Sequence, residues 1–224
     1  MKDLPFAKYD FWAYLSSGSL FLYIVDYVAA SGVFDRPQWT VVQTIVVISA
    51  AYVVGHLVAG LSSVILERWI VGRVLGPPRE TLFGKCKAPR FLQKLLPGYF
   101  QALPKQIQDA ALARSAASGV GTPGEAMFWL AFVEAKNSKT AMDRIESFLN
   151  LYGFCRNIAL VFLIAAPVLI MRFGLDAVPR QDLWLGLGSL VIGAGMMLRY
   201  LKFLRHFAVE VVTQYALGRG QPGK

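Results

Sequence analysis

Residues 39–66, WTVVQTIVVISAAYVVGHLVAGLSSVIL, contain no Asp, Glu, Lys or Arg. About 20 consecutive apolar residues suffice for a helix to cross the hydrocarbon core of a bilayer, so this stretch reads as a membrane span. Ala51, Gly55, Ala59 and Ser63 recur every four residues and therefore stack on one helix face, drifting slowly because the period is 3.6. Small side chains at that spacing admit a neighbouring helix at close range, and in lipid such packing replaces water exclusion as the force between helices. The segment is expected to be the packing spine of a helical bundle.

Outward from it, the rest of the chain falls into apolar blocks separated by charged stretches. Phe11–Phe34 forms one block, broken only by Asp26, and Asp35-Arg36-Pro37 ends it in a tight turn. Leu151–Met171 forms a third, with Arg156 and Asn157 near its start and Pro167 inside it. A fourth covers Leu183–Leu198; its 16 uncharged residues make only about 24 Å at 1.5 Å each, so Arg199 and Lys202 must snorkel to the headgroups. Gly186, Gly188, Gly193 and Gly195 give this block its own close-packing positions, of which Gly188 and Gly193 are the leading candidates. The expected fold is an all-α polytopic membrane protein of four transmembrane helices. A transmembrane hairpin at 1–66 (spans about 11–34 and 39–66) precedes a helical cytoplasmic insert at 67–150. A second hairpin at 151–204 (spans about 151–171 and 183–203) precedes a cytoplasmic tail at 205–224.

The 224 residues are 55% hydrophobic, with a mean hydropathy of +0.47 and a net charge of +9. A basic balance suits nucleic acid or anionic lipid. In a membrane protein, however, Lys and Arg gather in cytoplasmic loops, and no nucleic-acid partner is expected. Residues 66–150 hold 12 basic and 7 acidic residues, and 199–224 hold 5 and 1; the loops 35–38 and 172–182 are neutral. The basic side is cytoplasmic by that rule, which places the chain in the cell inner membrane with both termini inside. Cys86 and Cys155 show no paired-cysteine or metal spacing, and no cofactor or metal site is expected.

Within the insert, Gly76-Pro77-Pro78 breaks the exit helix and Pro104 opens a helix over 104–117. Thr122, Pro123 and Glu125 have the order of a capping box, expected to start the next helix. Asn137-Ser138 interrupts the pattern, after which helical spacing continues without a proline into the third block. Residues 79–103 mix Lys85, Lys87, Arg90 and Lys94 with Phe83, Phe91, Leu92, Leu95 and Tyr99. That mixture fits a basic amphipathic segment lying on the membrane face, or equally an irregular loop packed on the cytoplasmic helices.

Five intramembrane polar residues are the candidates for function. Asp26 stands about eight residues from the outer end of the first block, where an ionisable side chain is costly and a functional candidate. The alternative is a hydrogen-bonded structural Asp, facing Ser49 or Tyr23. His56 lies within the second block and suits a pore, a proton path or a helix contact; one His is too few for a metal. Arg156, Asn157 and Arg199 fall near the inner side, with Ser16, Ser17 and Ser19, and together suit an inner polar layer. Arg199 and His206 lie two turns apart on one helix face, a spacing that arginines beside a span produce anyway. No nucleotide-binding, zinc-protease or serine-hydrolase pattern is present, so no catalytic residue is assigned. The expectation is a non-enzymatic oligomeric inner-membrane protein, a pore-forming or gated effector controlled through its insert by a soluble protein or a small-molecule ligand. The alternatives are an anchor or scaffold for a soluble partner and, less favoured, a membrane-embedded enzyme acting on lipid head groups.

Overall fold

The structure, a computed structural model, describes residues 8–175 and 180–218, with side chains over 13–174 and 180–218. Residues 1–7, 176–179 and 219–224 lie outside the described residues. All regular structure among the described residues is helical. Three helical stretches are long and apolar enough to cross a membrane: Val41–Thr81, Lys139–Gly174 and Arg180–Ala216; a shorter apolar helix covers Ala13–Ala29. The chain divides into two compact units, residues 1–66 with 153–200 and residues 67–152 with 201–224.

In the first unit, α1 (Lys8–Ala29) and α2 (Val41–Ser62) form a hairpin. The α1 helix stops five residues before the end of its apolar block. Ala30 adopts a left-handed conformation (φ 51°), and the Ser31 amide reaches back to the Asp26 carbonyl at 3.2 Å. That is the closing bond of a helix C-terminus, made here without the glycine that usually sits there. Thr40 caps α2: its hydroxyl accepts the Gln43 amide, and the Gln43 side chain accepts the Thr40 amide. The buried positions of α2 are Ala51, Gly55, Val58, Ala59 and Ser62. Ala51, Gly55 and Ala59 thus lie on the packed face, while the 3.6-residue period moves its last member from Ser63, half-buried, to Ser62. At the crossing the two backbones touch: a β-carbon on Gly18 would overlap the Ala51 carbonyl, and one on Gly55 would overlap the Tyr14 carbonyl.

The same unit holds the membrane-type parts of α8 (Lys139–Leu175) and α9 (Arg180–Ala216). On α9 up to Tyr200 the buried residues are Asp182, Gly186, Ser189, Gly193 and Tyr200, again three, four or seven apart. A β-carbon at Gly193 would lie 3.1 Å from the Leu163 amide nitrogen, and one at Gly186 3.2 Å from the Ala166 carbonyl. Gly193 is therefore a contact glycine. Gly188 faces open space, and Gly186, two residues earlier, holds the place on the packed side.

The second unit begins inside an unexpected element. From Ser63 to Leu75 the helix is π-helical, with amides bonding five residues back, and Gly76 N–H to Val71 O (2.8 Å) continues the pattern. The turn is wider than the 3.6-residue α-turn, and the buried Leu66, Val71 and Leu75 fall five and four apart. Gly76 (φ 84°) then ends the helix where the Gly-Pro-Pro run predicts. Short helices α3 (Pro78–Thr81), α4 (Arg90–Leu95) and α5 (Pro97–Phe100) precede α6 (Lys105–Ala117) and α7 (Glu125–Ala135). The capping box at Thr122 does not form: α7 starts at Glu125 after Gly124, whose position carries no side-chain cap. Residues 205–216, set apart by the sequence as a tail, are the last turns of α9 and supply Ala208, Val211, Val212 and Tyr215 to the core. Leu82, Leu103, Ala111, Met127, Ala131, Ala135 and Ile145 complete that core. Arg114 ties three helices, pairing with Glu134 (2.6 Å) and donating to the Tyr215 carbonyl (2.6 Å).

Candidate functional site

The polar residues of the first unit fall into three groups. The first follows from the early end of α1. The Asp26 carboxylate accepts the Ser31 hydroxyl, the Val33 amide (2.8 Å) and the Phe34 amide (3.2 Å). Asp26 is therefore one turn from the helix end and closes the turn that follows, rather than standing deep in a span. Its partners are neither Ser49 nor Tyr23. Beside it, Asp182 accepts the Tyr27 hydroxyl at 2.6 Å and lies 3.4 Å from Arg172 Nε. Arg172 also donates to the Tyr27 and Val28 carbonyls at 3.0 Å, the orphan acceptors of the last turn of α1. Asp26, Tyr27, Arg172 and Asp182, with Tyr23, Ala30, Gly32 and Asp35, line a cleft of about 350 Å³. Arg172 and Asp182 tie α1, α8 and α9 together there, and no three metal-ligating side chains converge among the described residues.

The second group, at the other end of α2, contains Arg156 and Asn157. The buried Ser62 hydroxyl donates to Asn157 Oδ1 (2.7 Å) and accepts Arg156 Nε–H (3.0 Å). Arg156 adds a longer bond to the Ala59 carbonyl (3.4 Å). The pairing of these two residues with α2 runs through Ser62, a residue the four-residue spacing passes over. Buried hydroxyl and amide groups cost several kcal/mol without partners, so this node fixes α2 against α8. Arg199 is exposed on α9.

The third group lies between them along α2. Ser49, Tyr52, His56, Gly60 and Ser63 recur three and four residues apart and share one side of the helix. None of the five is buried: Ser49, His56 and Gly60 are exposed, and Tyr52 and Ser63 are half-buried. The His56 ring stacks on Tyr14 (centroids 4.1 Å, 26°) and meets Tyr52 edge-on (4.6 Å, 89°). Two other sectors complete α2. Ala51, Gly55 and Ala59 face the bundle, and Val46, Val53, Leu57, Leu61 and Val64 are exposed in the manner of a lipid-facing side. The helix thus exposes the Ser49 hydroxyl and an edge of the His56 imidazole. Towards its start the whole circumference is open: of residues 41–50 only Val47 is even half-covered.

No family model, curated protein or solved structure matches the chain.

Proposed function

We propose that the chain is a four-span, non-enzymatic inner-membrane protein that works as an oligomer, with copies of itself covering the polar sector of α2 and enclosing a hydrated path there. The observation that carries the reading is the outward polar sector. An exposed hydroxyl or imidazole, such as those of Ser49 and His56, is poorly accommodated by hydrocarbon. Water or a second copy removes that mismatch. From Ser49 to Gly60 the exposed positions run about 17 Å at 1.5 Å per residue, more than half of a hydrocarbon core about 30 Å thick. A single structural hydrogen bond needs no such length, whereas a water column does. Unit two, basic and built on its own core, would face the cytoplasm and receive the signal that gates the path.

The test is reconstitution into liposomes with cysteines placed along α2 in a Cys86→Ser background. Ser49→Cys and Gly60→Cys are expected to react with a membrane-impermeant thiol reagent and lose conductance on reaction. Val53→Cys and Leu57→Cys are expected to do neither. Equal protection of both sets, with no conductance under any condition, overturns the reading.

One observation favours a second reading, an anchor for a soluble protein. Trp129 and Val133, four apart on α7, are 57% and 58% exposed and offer an apolar docking face. Recovery of a stoichiometric soluble protein with the wild type, lost with Trp129→Ser, would favour it.

A further inference from the structure

The segment between Leu82 and Leu103 is fixed at its root and bare at its tip. At the root, the Leu103 amide donates to the Leu82 carbonyl (2.9 Å), and both residues belong to the core. The Tyr99 ring is buried, and its hydroxyl donates to the Gly76 carbonyl (2.8 Å). Gln93 donates to the carbonyl of the buried Ala88 (2.8 Å), which holds the start of α4 in place. Between these ties no residue of α4 is buried. Phe91 and Leu95, one turn apart on the same side, are 66% and 70% exposed. Lys85, Lys87, Arg90 and Lys94 are exposed around them. From residue 81 to 108 there are five Lys or Arg and no Asp or Glu. Within this stretch Lys87 has one acidic partner from outside it, Glu80 at 3.3 Å, and Lys87 itself remains largely exposed.

A loop that leaves two large apolar side chains in water while collecting cations of one sign is shaped for an interface that is apolar below and negative above. An anionic bilayer surface has that order of layers: phosphates at the level of the cations, acyl chains at the level of the rings. A soluble acidic protein would satisfy the charges but would leave Phe91 and Leu95 against a polar surface. We propose that residues 85–98 dock on an anionic membrane surface, with Phe91 and Leu95 entering the headgroup boundary and Lys85, Lys87, Arg90 and Lys94 meeting lipid phosphates. The proposal rests on the reading of the chain as a membrane protein, and not on the hydrated path. Docking ties the state of unit two to the lipid composition beneath it.

Cys86 supplies the probe, because it is exposed at the edge of the basic cluster while Cys155 is buried. The full chain is labelled at Cys86 with an environment-sensitive bimane and placed in nanodiscs, either of phosphatidylcholine alone or with about a third of phosphatidylglycerol. Doxyl groups near the headgroup serve as quenchers. Quenching and a blue shift are expected in the anionic discs and not in the neutral ones. The Lys85→Gln, Lys94→Gln double variant is expected to lower the docked-to-free ratio about 30-fold, at roughly one unit of surface attraction per cation. Phe91→Ser with Leu95→Ser is expected to abolish quenching while leaving the far-ultraviolet spectrum unchanged. Emission that ignores lipid charge, or that responds only to an added acidic protein, overturns the proposal. Retention in the bilayer after alkaline extraction reports the spans separately, so failure of the membrane reading is distinguishable from failure of the loop to dock.

Discussion

Asp26 and Ala30 share one turn and pull its stability in opposite directions. The Asp26 carboxylate satisfies three donors, and hydrogen bonds to a charged group are worth about 1.5–3 kcal/mol each when removal leaves the donors unpaired. Asp26→Ala should therefore lower the melting temperature in detergent. Asp26→Asn should lose less, because its carbonyl oxygen still accepts. Ala30 sits at φ 51°, where a β-carbon crowds the following carbonyl at a cost of roughly 1 kcal/mol. Ala30→Gly should accordingly raise stability by up to about 1 kcal/mol, a shift readable in the same thermal scan. The location of Asp26 was hidden from the sequence for a physical reason. Residues 27–34 are apolar enough to prolong a span, and the left-handed residue that ends the helix is an alanine. Gly32, the one conformational marker nearby, comes two positions too late to give the helix end away.

Glycines in this chain differ by what lies opposite them, and their substitutions separate packing from composition. A β-carbon at Gly55 would enter the Tyr14 backbone, which cannot move aside as a side chain can. Gly55→Ala should force α1 and α2 apart and cost about 3 kcal/mol, seen as a lower melting temperature and a larger elution volume spread in detergent. Gly188→Ala meets nothing within 4 Å in the single chain and should be neutral or stabilising by up to about 1 kcal/mol, through helix propensity alone. The four-residue spacing made Ala51, Gly55 and Ala59 legible because close packing and helical period point the same way. It misplaced Ser63 by one residue because 3.6 is not 4. The same arithmetic explains Ser62, which the Arg156 and Asn157 side chains reach. The π-helical turn from Ser63 to Leu75 left no trace legible to an α-helical pattern, since its buried positions follow a longer period. Thr122 shows the reverse failure: a correct local signal was overruled when the helix began at Glu125.

At the scale of the molecule, alternation of apolar blocks and charged stretches carried the helical, membrane-type architecture, while tertiary packing decided what the charged stretches do. Residues 205–216 look polar enough for a tail, yet their apolar side recurs at helical spacing and completes the core of unit two. That burial gives the protein's stability a pH dependence centred on His206. Its ring stacks on Phe148 (5.6 Å), and burial, followed by the neighbouring Lys202 and Arg205, holds its pKa below the ordinary 6.5. A depressed histidine pKa means that the unfolded chain takes up a proton which the folded chain resists. Stability is then fully present above pH 6.5 and is lost as the pH falls from there towards the folded-state pKa. Below that lower value the loss is complete and the slope vanishes. Arg205 acts in the same sense on itself, since desolvation lowers its pKa, but it titrates far above this window. Melting temperatures measured between pH 8 and pH 5 should therefore fall for the wild type, and His206→Gln, which cannot take up the proton, should flatten that fall. A variant whose melting temperature declined as steeply as the wild type's over this range would show that the slope comes from the carboxylates instead, with His206 no more than a spacer against Phe148.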